Sequence, residues 1–126
     1  MQIKMNELLS FQNFYEKIKN KSLPIKTSYK FMKFFNEVNK ELKFYQEQLI
    51  KISEEFGERD KNGELIYTDE GGVKIKKEEL SNCQSKINEL LNLDIEIDNI
   101  IFSLDELENL NLSLSDLQII EKFICE

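Results

Sequence analysis

The hydrophobic residues between positions 31 and 56 recur at alternating spacings of four and three residues. They are Phe31, Phe35, Val38, Leu42, Tyr45, Leu49, Ile52 and Phe56. This spacing keeps one side of a helix apolar along its whole length, as in a coiled coil. Thr27 or Ser28 is a suitable N-cap, and Gly57 is a suitable left-handed stop, so the pattern predicts one continuous helix over residues 27–56.

Two shorter stripes with the same spacing lie on either side of the long one. The first consists of Leu8, Phe11, Tyr15 and Ile18, and the second of Leu80, Cys83, Ile87 and Leu90. They predict helices over residues 6–19 and 77–92, and Pro24 marks the reversal after the first. A long helix cannot bury its own stripe. We therefore expect the two shorter helices to pack antiparallel against the long helix as in a helical hairpin, each covering about half of its apolar stripe.

The segment between the second and third helices changes to the alternation of a strand. In "ELIYTDEGGVKIK", residues 64–76, apolar residues alternate on both sides of a loop at residues 69–72, where glycine can supply a positive φ. This predicts a β-hairpin at one end of the helical pair. Towards the C-terminus, "DIEIDNIIF" alternates again, and a Ser followed three residues later by Glu or Gln predicts short helices over residues 104–109 and 116–124. The expected fold is mainly α, in a single domain over residues 1–126.

Charge is distributed unevenly along this acidic chain, which has 17 basic and 24 acidic residues and a net charge of −7. Six lysines and no acidic residue lie between positions 17 and 33, whereas residues 89–126 hold ten acidic residues and one lysine. Either the lysines line solvated helix faces near an acidic tail, or they form a contact surface. Lys26, Lys30 and Lys33 are spaced like one helix face, with Tyr29 beside them. These four residues are the predicted partner-binding site.

Candidate catalytic and metal-binding residues are few. The absence of histidine excludes Ser-His, Cys-His and His-metal sites, and Cys83 and Cys125 lack the spacing of a zinc site. Cys83 lies on an apolar stripe, which predicts a buried free thiol. The acidic run beginning at Asp60 hints at a calcium loop, but its glycine comes at the fourth position instead of the sixth. We therefore predict no catalytic residue, no metal, no cofactor and no enzymatic activity.

The order of "LPIKTSYKF", "LKFYQEQ", "FGERDKNGEL" and "SLDELENLNLSLSDL" resembles a family of small uncharacterised phage and prophage proteins from AT-rich Gram-positive bacteria. The sequence of helix, hairpin and helix is also similar in topology to prefoldin subunits. The resemblance to phage proteins implies a phage context. The expected location, the cytoplasm of the host cell, follows from the residues, because "MQIKMNELLS" lacks the apolar block of a secretory signal and a buried free thiol suits a reducing compartment.

Three functional hypotheses follow, all based on stoichiometric contact. The first is inhibition of a host defence or nucleic-acid-processing complex, because an acidic coiled-coil hairpin can mimic a phosphate backbone. The second is a virion assembly chaperone, such as a tail chaperone, or a minor structural protein. The third is a sponge that holds a signalling nucleotide at the lysine and tyrosine cluster.

The expected partner is a host or phage protein. Sequence-specific nucleic-acid binding is disfavoured, because the chain is acidic and its lysines are poor bidentate readers of bases. No apolar run is long enough for a membrane span. Phe34, Phe44 and Ile50 lie off the main stripe, which predicts additional apolar surface and a homodimer.

Overall fold

The computed structural model describes residues 1–125 and is mainly helical. Its α-helices are α1 (Met5–Ile18), α2 (Ile25–Phe56), α3 (Leu80–Leu91), α4 (Leu104–Leu107) and α5 (Leu114–Ile119). Short 3₁₀ turns occupy Lys77–Glu79, Glu108–Leu110 and Glu121–Phe123. The predicted fold class, with its long central helix, is therefore confirmed. In the described part of the chain, no helix is both long enough and apolar enough to cross a membrane.

The chain divides into two compact units. The first consists of residues 1–42 together with the described residues from 94 onward, and the second consists of residues 43–93. Helix α2 contributes its first half to one unit and its second half to the other. The prediction of a single domain stays a prediction.

Helix α2 begins two residues earlier than the sequence indicated. It starts at Ile25, directly after Pro24, whose carbonyl accepts a hydrogen bond from the Ser28 amide at 3.0 Å. Proline suits a helix entry because its φ is fixed in the helical range. Thr27 lies inside the first turn, where its hydroxyl donates to a carboxylate oxygen of Glu106 at 3.4 Å. The expectation that Thr27 or Ser28 is the N-cap is therefore wrong.

The core of the first unit is a cluster of aromatic rings. It contains Phe11, Phe14, Phe31, Phe34, Phe35, Phe102 and Phe123, all buried. Phe34 is fully buried, although the stripe pattern placed it outside the main seam. On α1, Phe14 is buried and Tyr15 is partly exposed, so the predicted stripe was wrong at this turn. A wider apolar face than a coiled-coil seam explains both differences, because α1 and α2 pack here against additional elements.

Two pairs of very short strands hold the ends of the chain in this unit. Strand β1 (Gln2–Lys4) is antiparallel to β2 (Asp94–Glu96), with Ile3 opposite Ile95. Strand β3 (Phe102–Ser103) is parallel to β4 (Ile124–Cys125). The alternation around β2 was visible in the sequence. All four strands are only two or three residues long, too short to produce a recognisable period by themselves, and β2 was visible because the alternation continues to Ile97.

Each short C-terminal helix starts at a capping box. At α4 the Ser103 hydroxyl accepts from the Glu106 amide, and the Glu106 carboxylate accepts from the Ser103 amide. At α5 the same pair of bonds links Ser113 and Asp116. The second short helix is therefore present, but its predicted bounds, 116–124, were wrong. Aspartate takes the place of the expected Glu or Gln, so the helix begins at Leu114, and a 3₁₀ turn and β4 follow it.

In the second unit, α3 packs against the second half of α2. Ile52 and Phe56 of α2 are buried with Cys83 and Leu90 of α3. The Cys83 thiol is free, as predicted, and burial raises its pKa. An ion pair between Lys86 and Glu55 at 2.9 Å joins the two helices at the surface.

The connection between α2 and α3 consists of three short segments that bridge one another. Gly57 pairs with Ile75, Arg59 with Leu65, and Tyr67 with Val73, all antiparallel, so each segment meets both of the others. The predicted hairpin over residues 64–76 is present as one bridge, from Tyr67 to Val73. It closes on Gly71, which has a φ of 88°, as the loop required.

Gly57 does not have the predicted role. Its backbone is not in the left-handed region, so it is not a left-handed stop for α2. Instead, it lies where the three segments meet. A Cβ at this position would come within 2.5 Å of both the Leu65 side chain and the Ser53 carbonyl oxygen. The position therefore requires glycine for reasons of space.

Candidate functional site

The lysine-rich stretch 17–33 is largely engaged within the fold. Three of its six lysines bind the C-terminal segment: Lys17 to Asp116 at 2.6 Å, Lys21 to the Leu110 carbonyl at 2.6 Å, and Lys30 to Glu106 at 2.8 Å. A fourth, Lys19, pairs with Glu16 on its own helix at 2.6 Å. The acidic tail thus folds onto the basic stretch. This is the arrangement that the first interpretation of the charge pattern described.

The acceptors of two of these lysines are the carboxylates of the capping boxes. The Lys30 ammonium and the Ser103 amide both donate hydrogen bonds to the Glu106 carboxylate. These bonds lower the pKa of the Glu106 carboxyl, and the bond from Lys30 has the larger effect. Asp116 is only 5% exposed. Its pKa is likewise lowered, first by Lys17 and then by the Ser113 amide. The lysines therefore neutralise helix-capping carboxylates that packing has removed from most of their water.

The four predicted site residues separate into two groups. The Lys30 ammonium is bound to Glu106 and lies 5.4 Å from the centre of the Phe102 ring, so its charge is used inside the fold. The Lys33 ammonium lies 5.2 Å from the exposed Tyr29 ring. Lys26 is exposed and has no ion-pair partner in residues 1–125. Lys26, Tyr29 and Lys33 therefore remain available at the surface.

Two further exposed apolar residues, Ile25 and Met32, accompany Tyr29 and the two lysines. Ile25, Tyr29 and Met32 are 85%, 54% and 51% exposed. At 100° per residue they lie within about 60° of one another on α2, on the side opposite the buried phenylalanines. Together with the two lysines they form a surface that we call the basic stripe: Ile25, Lys26, Tyr29, Met32 and Lys33. Ile25 and Met32 were not among the predicted site residues, although their spacing of four and three around Tyr29 was a usable signal.

The engagement of Lys30 within the fold makes its substitution more costly than that of Lys26. Lys30→Gln should lower the free energy of unfolding by about 1 kcal/mol, because it removes a half-buried, charge-assisted contact to Glu106. Lys26→Gln is the matched control and should change it by less than about 0.5 kcal/mol. Urea denaturation followed by circular dichroism measures both. Equal stabilities of the two variants would show that the Lys30 contact contributes nothing.

Two grooves in the first unit are lined by leucines and acidic residues. Each has a volume of about 400 Å³, and Leu104 and Leu117 line both of them. The charged residues among the described residues that line them are Glu121 in one groove and Asp105 and Glu108 in the other. Leu104 and Leu114 are 51% and 75% exposed. We call this surface the leucine grooves. It was not found from the sequence, because its residues come from α4, α5 and the turns after them.

A third groove, of about 230 Å³, lies between α1 and α2. Two of the six clustered lysines line it, Lys19 and Lys21, and both are already paired within the fold. In residues 1–125, every buried side-chain nitrogen or oxygen atom has a hydrogen-bond partner. The groove therefore offers neither an unpaired lysine nor an unpaired buried side-chain nitrogen or oxygen to a phosphate group.

The acidic run beginning at Asp60 is explained by a turn. One oxygen of the Asp60 carboxylate accepts from the amides of Asn62 at 2.8 Å and Glu64 at 3.1 Å, and Gly63 has a φ of 80°. An aspartate that binds the backbone two residues on is a common turn device. Within residues 1–125, no three acidic or cysteine side chains come together as metal ligands.

One carboxyl pair became visible only in the structure. The Asp98 amide donates to a Glu37 carboxylate oxygen at 3.1 Å. The pKa of Glu37 is raised, first by burial and then by the neighbouring Asp98 side chain. The two residues lie 61 positions apart in the sequence, so no local spacing could have indicated the pair.

Comparisons with protein-family models, curated proteins and solved structures found no match to this chain. The resemblance to small phage proteins therefore stays a prediction.

Proposed function

We propose that this chain is a non-enzymatic protein-binding module that holds an acidic protein partner on the basic stripe. The observation that carries this proposal is the exposure of Ile25, Tyr29 and Met32 in a row on one helix face, with Lys26 and Lys33 along one edge of the row. Aromatic residues and methionine are enriched in protein interfaces, and exposed apolar patches with a polar edge are typical of them.

The composition of the stripe favours a protein over a nucleic acid. Its contact area is apolar, with two lysines at one side and no arginine. Duplex DNA would be repelled by a chain with a net charge of −7, and apolar side chains gain little from a phosphate backbone. A protein surface with carboxylates around apolar residues matches both properties of the stripe.

The resemblance to phage proteins supports a particular target. We propose that the partner is a host defence or nucleic-acid-processing complex, which the chain inhibits by occupying a contact surface. The second candidate is an assembly or minor structural protein of a virion. The leucine grooves favour this second candidate. They give the first unit a second exposed apolar surface, with a charge opposite to that of the basic stripe, and a protein that assembles with others needs more than one contact surface.

The test first identifies the partner and then measures its affinity. Tagged wild-type chain is used to capture proteins from infected host lysate, and the captured proteins are identified by mass spectrometry. A Lys26→Gln, Lys33→Gln double variant and a Lys61→Gln, Lys77→Gln control have the same net charge, but the control lysines lie in the other unit. A candidate partner is one that the wild type and the control retain and the stripe variant loses.

Calorimetry with the purified partner then decides the proposal. The stripe variant should bind about tenfold more weakly, and its affinity should depend less on salt, because screened charge attraction is what the two lysines supply. The control should bind like the wild type. Equal affinities of wild type and stripe variant at low salt would contradict the proposal.

A further inference from the structure

We propose that two copies of the chain form a twofold dimer in which the basic stripe of each copy sits on the leucine grooves of the other. The proposal depends on the stripe being a binding surface, as the proposed function requires. It adds a second surface to the site and names a second copy of the chain as its occupant.

The two surfaces are complementary in charge and in apolar character. The leucine grooves present Leu104 and Leu114 to solvent, with carboxylates beside them. The stripe presents Ile25, Tyr29 and Met32, with ammonium groups beside them. Burying one against the other removes apolar surface from water on both sides and places opposite charges across the contact.

The fold places α4 near the lysine edge of the stripe: at 100° per residue Lys30 lies about 40° from Lys26 around α2, whereas Ile25, Tyr29 and Met32 face away from α4, about 100° to 160° from Lys30. Glu106 of α4 binds Lys30 at 2.8 Å and the Thr27 hydroxyl at 3.4 Å, so α4 lies against the first turns of α2. Leu104 belongs to the same short helix as Glu106, and the stripe occupies the same turns of α2 as Lys30. A reciprocal contact between complementary surfaces suits a twofold axis, since each copy then uses both surfaces once and the assembly closes as a dimer.

Self-association of this kind has a consequence for partner binding. The stripe is covered in the dimer, so an external partner binds the monomer and competes with the second copy. The apparent affinity for the partner is therefore reduced by the fraction of chain that is dimeric. The leucine grooves also indicate the chemistry the partner should offer: aliphatic side chains next to carboxylates.

The test reverses charge on each surface separately. Variant A carries Lys26→Glu and Lys33→Glu in the stripe. Variant B carries Glu108→Lys and Glu121→Lys, one substitution in each groove. The control carries Lys61→Glu and Lys77→Glu, which change the net charge as variant A does but lie in the other unit. Sedimentation equilibrium measures association, and circular dichroism confirms that each variant is folded.

Wild type and control should dimerise from the 15.0 kDa monomer, and variants A and B alone should dimerise at least about tenfold more weakly. An equimolar mixture of A and B should regain dimerisation as a heterodimer. In that heterodimer the acidic stripe of A faces the basic grooves of B, and the basic stripe of B faces the acidic grooves of A. Native mass spectrometry identifies that heterodimer. A monomeric wild type at hundreds of micromolar, a mixture that stays monomeric, or open-ended growth beyond a dimer would each overturn the proposal.

Leu114→Ser provides a test without charge change if a reversal variant unfolds. Leu114 is 75% exposed, so its loss should leave the fold intact and still weaken dimerisation. Unchanged dimerisation would count against the grooves.

Partner affinity separates this proposal from the proposed function. Variant B should bind the partner at least as tightly as wild type. If the wild type is monomeric and variant A still binds the partner more weakly than wild type does, only the dimer is refuted, and the proposed function stands.

Discussion

Phe34→Ala is expected to lower the free energy of unfolding by about 3 to 5 kcal/mol, the range for removing a fully buried phenylalanine. The Phe34 ring makes edge contacts with Phe11, Phe35, Phe102 and Phe123 at centroid distances of 4.8 to 6.0 Å. These partners come from α1, α2, β3 and the last 3₁₀ turn. The cavity would therefore affect every element of the first unit that closes around the ring.

Urea denaturation of the variant, followed by circular dichroism, measures this effect. Phe44→Ala is the matched control, because it is the same substitution on the same helix at a partly exposed position. It should cost less than about 1.5 kcal/mol. A Phe34→Ala loss no larger than that of Phe44→Ala would show that the aromatic cluster does not hold the first unit together.

Phe34 also shows how far the periodic pattern extends. The spacing of four and three from Phe31 to Phe56 predicted the extent of α2, because helix period and apolar burial have the same cause. A strict seam describes packing against one neighbouring helix. In the first unit, α2 is also covered by β3 and the C-terminal turns, so its buried face widens to include Phe34. These contacts depend on the tertiary fold and have no local signature.

The same limit applies to the candidate site. The sequence showed that lysines are concentrated at positions 17–33 and carboxylates near the C-terminus. It could not show which lysine meets which acid. Lys30 and Lys26 are equally plausible surface residues by spacing, yet the fold binds the former to Glu106 and leaves the latter exposed. The leucine grooves were out of reach for the same reason, because they form only when α4 and α5 come together.

Gly57→Ala is expected to lower the free energy of unfolding by about 3 kcal/mol, the upper end of the usual range for overpacking. The added Cβ would lie 2.5 Å from the Leu65 side chain and 2.8 Å from that of Val73. It would also lie 2.5 Å from the Ser53 carbonyl oxygen, which is backbone and cannot rotate away. The three bridged segments would have to separate, or the end of α2 would have to unwind.

Gly72→Ala is the control, because it makes the same substitution in the same connection where space is available. The nearest atom to its added Cβ is the Thr68 hydroxyl oxygen at 3.8 Å, and its φ is not positive. Its stability should therefore equal that of wild type or rise slightly, because alanine restricts the unfolded chain more than glycine does.

Amide hydrogen exchange locates the effect of Gly57→Ala within the chain. Protection in Gly57→Ala should fall in residues 43–93 and persist in residues 1–42, since the crowded contacts belong to the second unit. If Gly57→Ala is as stable as Gly72→Ala, the glycine is not required by the three-segment contact, and the end of α2 must be set by something else.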